Sequence, residues 1–154
     1  MRLTPATLFA RTAGLWAILA MAALAGCSSH PQPPTGRWQG YYEAPDVMIA
    51  ARLEISPTGT VRVSAPNAFA DIASMSASDK AQLRDGLESG LAAAWPKVMP
   101  LDLEFDGKVF HKPGGIAPQI EWDKDKGQMT LFVYAGTHAT IRVPLESVEN
   151  FDSP

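Results

Sequence analysis

From Gly36 onward, apolar residues fall at every second position in short runs separated by Gly/Pro turns, and the spacing becomes helical only once. Side chains on a strand alternate between two faces, so this pattern dictates short strands with one buried face. Val47–Ile55 places Val47, Ile49, Ala51, Leu53 and Ile55 on one side and Arg52 and Glu54 on the other, which predicts a half-buried strand. Arg37–Glu43 predicts an aromatic-rich strand before it. After the turn Ser56-Pro57-Thr58-Gly59, Thr60–Ala65 predicts the return strand. Pro66–Met75 carries no clear period.

The single helical stretch starts at Ser76, whose pairing with Asp79 resembles a capping box. Leu83, Leu87, Leu91 and Ala94 then recur on one face, predicting an amphipathic helix of roughly 18 residues that stops at Trp95-Pro96. Gly86 and Gly90 weaken it, and close packing on a sheet is the reason the sequence suggests for their presence. Leu101, Leu103 and Phe105 lead into Asp106-Gly107, the signature of a two-residue type I′ turn, and Lys108–Lys112 returns. Ala117–Trp122, Gln128–Tyr134 and His138–Leu145 predict three further strands. The acidic tail from Glu146 is expected to fray. Short connections make sequential strands antiparallel neighbours. The expected fold is α+β and mainly β. It is a curved antiparallel sheet or small barrel of about eight strands, with one helix inserted after the third strand.

The chain opens differently. Arg2 and Arg11 precede an apolar run, Ala13–Ala25, that ends in Leu24-Ala25-Gly26-Cys27. A basic start, an apolar stretch and small residues at its end mark a secretory signal over residues 1–26. About 14 apolar residues are too few for the roughly 20 that a spanning helix needs. Leu24, Ala25, Gly26 and Cys27 match, position by position, the leucine–small–small–cysteine lipobox of bacterial lipoproteins. That resemblance implies cleavage after Gly26 and a diacylglyceryl group on the Cys27 sulfur, with acylation of the new amino group. It makes the membrane the first partner. More than one acyl chain holds a protein stably at a bilayer. Ser28 stands where aspartate marks retention in the inner membrane among such lipoproteins. The implied address is therefore the outer membrane, facing the periplasm.

Residues 27–35, with three prolines, are expected to be a lipidated extended tether, and residues 36–150 a single domain. Removal of residues 1–26 leaves eleven basic against sixteen acidic groups, a net charge of −5. An acidic surface of this kind does not favour nucleic acid. The one cysteine belongs to the lipid in this reading, so stability must come from burial, and a cysteine nucleophile in the domain is excluded.

Gly36-Arg37-Trp38 resembles the first signature of lipocalin-like barrels. In that family the tryptophan plugs one end of the barrel and packs on a late arginine, a place that Arg142 would fill. The family's second motif is missing and a long helix after the third strand departs from its pattern. Aromatic residues fall on both strand faces. Trp38 and Tyr42 share one face and Tyr41 takes the other, so packing under the helix, a cavity lining and a contact patch are all open. Trp38, Tyr41, Tyr42, Trp122 and Arg142 are the candidate contacts for a ligand or partner.

Other motifs fall short of chemistry. Asp123-Lys124-Asp125-Lys126-Gly127 begins like a calcium loop but has Tyr134 where the twelfth-position glutamate belongs, and reads as a charged turn. His30 lies in the tether, and His111 and His138 are two of the roughly three ligands a metal needs. Ser89 in Gly86–Gly90 is one place off the nucleophile elbow and sits on a predicted helix. Asp102 and Glu104 read as solvated charges. No catalytic residue, metal or cofactor is assigned. The expectation is an envelope binding or assembly module for a partner protein or an apolar ligand. A lipocalin-like carrier and a small periplasmic hydrolase, or an inhibitor of one, are the alternatives.

Overall fold

A computed structural model describes residues 30–135 and 139–151. Residues 1–26, expected from sequence to be a signal segment, lie outside the described residues, as do Cys27, Ser28 and His138. The described chain forms strands β1 (Gly36–Ala44), β2 (Val47–Ile55), β3 (Val61–Ser64) and β4 (Asn67–Phe69), then helix α1 (Ala77–Ala94). Strands β5 (Glu104–Phe105), β6 (Val109–His111), β7 (Pro118–Asp123), β8 (Gln128–Ala135) and β9 (Ala139–Val148) follow. Every pairing is antiparallel, in the order β3-β2-β1-β9-β8-β7-β6-β5 with β4 also on β2. The sheet curls into a half-barrel. The amide of Leu101, just before β5, donates to Val61 O at 2.8 Å and bridges the two outermost strands.

The mainly-β fold with one helix is as expected, but the helix follows the fourth strand and not the third. The cause is Pro66. It has no N–H for a ladder and splits the return strand in two. β3 pairs with Arg52–Ile55 and β4 with Val47–Ile49, while the Pro66 carbonyl accepts from Ala50 N at 3.2 Å.

The inward residues form one packed cluster. Trp38, Ile49, Leu53, Phe110, Ile120, Met129, Val143 and Leu145 are all buried in it, and Tyr42 and Trp122 pack against it. Gly40 sits where β1 meets β9. A Cβ there would run into the Pro144 carbonyl oxygen and the Leu145 side chain, so only glycine permits the approach.

β2 is not half-buried as its alternation predicts. Met48 on the outward face is 0% exposed, Ala50 is buried, and even Arg52 is only 7% exposed. Helix α1 packs over this face. Met48, Ala50, Leu91 and Ile72, the last from the 3-10 turn Ile72–Ser74, form a buried set apart from the inward cluster. That turn is fixed to the β1–β2 connection by Ala73 N donating to Pro45 O at 3.0 Å.

The helix begins as its sequence demands. Asp79 N donates to Ser76 Oγ at 3.1 Å, and the Ser76 hydroxyl donates to the Asp79 carboxylate at 2.7 Å. Its other end is held by Arg62 from β3, which donates to Trp95 O at 2.6 Å and Val98 O at 3.1 Å. The guanidinium thus ties β3 to the chain just past the helix, where Trp95 O also accepts from Val98 N at 3.1 Å. The same group lies 4.9 Å from the Trp95 ring centroid and 3.2 Å from Glu54, which also pairs with Arg37 at 2.9 Å.

Three local expectations need correction. The tail does not fray at Glu146: β9 runs on to Val148, pairing Glu146, Ser147 and Val148 with Gln39, Trp38 and Arg37. Phe151 then packs edge-on to Trp95 at 4.8 Å, with the Arg52 guanidinium 5.1 Å from its ring. At the β5–β6 hairpin, Phe105 opposes Phe110, so the tip is Gly107-Lys108 and not Asp106-Gly107. Asp106 instead caps the turn, its Oδ1 accepting from Lys108 N at 2.8 Å and Val109 N at 2.7 Å. Finally, Gly86 and Gly90 do not serve close packing, because a Cβ at either meets nothing within 4 Å.

The glycines give opposite expectations. Gly86→Ala and Gly90→Ala should each stabilise the domain by about 0.5–1 kcal/mol. Gly40→Ala should destabilise it by about 1–3 kcal/mol or more through overpacking against backbone. Urea unfolding of the three variants checks the signs.

Candidate functional site

Helix α1 covers β2 but leaves part of the outer face of β1 and β9 open. A cleft of about 460 Å³ lies there. Its floor is made by outward residues: Gln39 and Tyr41 of β1, Ala50 and Arg52 of β2, Pro144 and Glu146 of β9, and Gln128 at the start of β8. Arg84, Glu88 and Leu91 from α1 form the wall. Helical spacing brings Arg84 and Glu88 together, with Nε and Oε1 2.9 Å apart. The Arg84 guanidinium lies 4.4 Å from the centre of the Tyr41 ring. Burial, then the neighbouring Glu43 carboxylate, pushes the Tyr41 phenol above its ordinary value. The hydrogen bond to Glu88 raises Arg84 in the same sense.

The titratable groups of the cleft are two arginines, two glutamates and one tyrosine, with two amides beside them. This set can orient a polar ligand by hydrogen bonds and charge. Among the described residues the lining contains no serine, cysteine or histidine, so these walls do not assemble a nucleophile–base pair of the usual kind.

Of the five contacts expected from sequence, only Tyr41 lines this cleft. Trp38 and Trp122 meet in the interior, edge to face at 6.1 Å and 72°. Trp38 Nε1 is buried with no hydrogen-bond partner among the described residues. Tyr42 packs on the inward cluster. Arg142 is not the partner of Trp38. It points outward, with its guanidinium 5.0 Å from the Phe132 ring and bonded to Glu121 at 2.7 Å. The alternation along β9 explains this: Val143 and Leu145 occupy the inward positions, which sends position 142 to the opposite face from Trp38.

The remaining motifs are resolved locally. Asp123 Oδ1 accepts from the amides of Asp125 at 3.1 Å and Lys126 at 3.2 Å, and Oδ2 pairs with Lys126 Nζ at 2.9 Å. These oxygens organise a hairpin turn. His111 Nδ1 stands 3.3 Å from the Lys112 carbonyl oxygen and 4.0 Å from Glu104. Whether His138 approaches it falls outside the described residues. Ser89 is exposed on α1, and Asp102 and Glu104 are exposed as expected. Among the described residues, no three His, Cys, Asp or Glu side chains stand close enough to hold a metal ion. No described helix is long and apolar enough to cross a membrane.

Sequence reasoning missed most of the cleft. The available signals were Arg52 within an otherwise apolar stretch of β2 and the Arg84/Glu88 pair one turn apart on α1. No protein-family model, curated protein or solved structure matches the chain.

Three carboxyls, Glu121 on the outer face and Asp106 and Asp123 at turns, are held below their ordinary values. Glu121 is lowered by Lys108 and then Arg142, Asp123 by the Lys126 side chain and nearby amides, and Asp106 by the Val109 and Lys108 amides. A depressed folded-state pKa contributes stability that is present above the unfolded value and lost as pH falls through the folded one. The melting temperature should therefore decline on acidification from about pH 4.5, the ordinary value for Glu121, downwards. Asp106→Asn should show a shallower decline. A profile flat across that range for the native chain would contradict these assignments.

Proposed function

We propose that this chain is a lipid-anchored envelope protein facing the periplasm. Its domain acts there as a non-enzymatic binding or assembly module through the cleft between α1 and the outer sheet face. The lipobox at Leu24–Cys27 supports the anchor. The observation that carries the binding reading is the cleft's mixed lining, in which Gln39, Gln128, Glu146 and the nearly buried Arg52 stand on the floor and Arg84 and Glu88 on the wall. Such convergent polar groups over a partly apolar floor fix a ligand's orientation.

A carrier of the lipocalin type would hold its ligand inside the barrel. Here the inward side chains pack on one another, which favours the outer cleft as the binding place. The hydrolase reading gains no support from the groups that line it.

The test uses the full chain in its native membrane. A benzophenone amino acid replaces Tyr41, Gln128 or, as control, the fully exposed Ile116 (100% exposed). After illumination, mass spectrometry reads adducts of either a small molecule or a polypeptide. A common adduct at positions 41 and 128 that is absent at 116, and lost with Arg84→Glu, is the expected result. No adduct at the cleft positions, or the same adduct at 116, would overturn the binding role. Intact mass checks the anchor separately: a chain beginning at Cys27 and carrying acyl groups, which Cys27→Ala loses.

A further inference from the structure

We infer that one particular end of the half-barrel lies against the lipid bilayer: the end bearing the Ser56–Gly59 turn and the Gly107-Lys108 tip. This rests on the lipid anchor proposed above, and adds an orientation to it. The path of the chain carries the argument. Residues 30–35 precede β1 and run across this end rather than away from the body. A Cβ at Gly59 would stand 3.8 Å from Pro33 Cγ, and one at Gly107 would stand 3.4 Å from Pro31 Cβ. Pro33 and Pro34 are half-buried. The tether is thus seated on the domain as far back as Pro31.

The geometry then leaves little freedom. Cys27 is three residues from His30, a span of at most about 10 Å even when fully extended. A sulfur held at the headgroup level keeps this end of the domain within that distance of the bilayer. The opposite end, with the β6–β7 connection and Ile116, stands about the length of β7 further away, roughly 20 Å.

Leu101, bridged to Val61 next to the Gly59 turn, is 42% exposed at this end. A hollow of about 580 Å³ opens beneath the tether, with Leu103, Phe105 and Phe110 in its walls beside Glu104, Asp106 and His111. Lys108 pairs with Glu121 at 3.2 Å and Lys126 with Asp123 at 2.9 Å, and Glu104, Asp106 and Asp125 add further negative charge at this end. The contact is set by the anchor and the short reach from Cys27 to His30, so it needs no anionic lipid and changes little with salt.

The chain's single cysteine is the lipidated one, so a second, introduced cysteine can be labelled alone. Thr58→Cys, Lys108→Cys and Ile116→Cys in the full lipidated chain are labelled with a small fluorophore. Each is reconstituted in phosphatidylcholine vesicles containing a headgroup nitroxide quencher. Quenching at positions 58 and 108 several-fold stronger than at 116, at low and high salt alike, is the expected result. Vesicle-bound protein with equal quenching at all three sites, or more at 116, overturns the orientation while leaving the anchor intact. Protein that neither floats with vesicles nor carries acyl mass overturns the anchor, and the orientation with it.

Discussion

The burial of β2 on both faces is the constraint on which the rest of this molecule depends. A strand in a curled antiparallel sheet normally shows one face to water. Here the outward side chains Met48 and Ala50 are as inaccessible as the inward Ile49 and Leu53. A continuous apolar surface of this kind must be covered, and α1 covers it. Burying Met48, Ile72 and Leu91 contributes about 1.5–3 kcal/mol each, and in a chain with no second cysteine to pair, that contribution has no disulfide substitute. The helix is therefore a second layer of the domain.

How the helix is held decides where the cleft lies. At its C-terminal end, Arg62 and Trp95 join the helix to β3, and Phe151 brings the tail to the same place. Three arginines, Arg37, Arg52 and Arg62, lie close to aromatic faces there. Guanidinium groups suit this role because their flat faces stack on rings while their edges bond carbonyls and carboxylates. Towards the other end, Lys80 pairs with Glu43 at 2.8 Å. Fixed at both ends over β2, α1 leaves the outward residues of β1 and β9 uncovered, and its own Arg84 and Glu88 overhang them. The cleft is a by-product of covering one strand with a helix too narrow to cover its neighbours.

Much of this architecture is legible in the sequence. The alternation of Val47–Ile55 places its inward face correctly, and Ser76 with Asp79 marks the true helix start. The parts that are not legible have physical reasons. Val47-Met48-Ile49-Ala50-Ala51 is an unbroken apolar run, which signals two-sided burial, but the charges at Arg52 and Glu54 lend it the look of a half-exposed strand. Both charges are accommodated by tertiary contacts that no local rule supplies: Phe151 for Arg52, and Arg37 with Arg62 for Glu54. β4 is hidden because three residues after a proline carry no period. The hairpin tip moves by one residue because the Asp106 side chain prefers to bind the Lys108 and Val109 amides. For the cleft, only Tyr41 is visible in advance. The other lining residues are surface-type side chains whose convergence depends on where α1 settles. Arg142 fails as a partner for Trp38 for the simplest reason, the parity of its position on β9.

The claim that α1 forms a second buried layer on β2 can be tested with two substitutions at adjacent positions on opposite faces. Ile49→Ala opens the inward cluster and is expected to cost about 2–5 kcal/mol. If the outer face is a true interior, Met48→Ala must fall in the same range, measured by urea unfolding of the same domain. A loss at Met48 within about 0.5 kcal/mol of zero, the scale of an exposed site, would contradict it. The helix would then not cover the strand, and the cleft beside it would lose its wall.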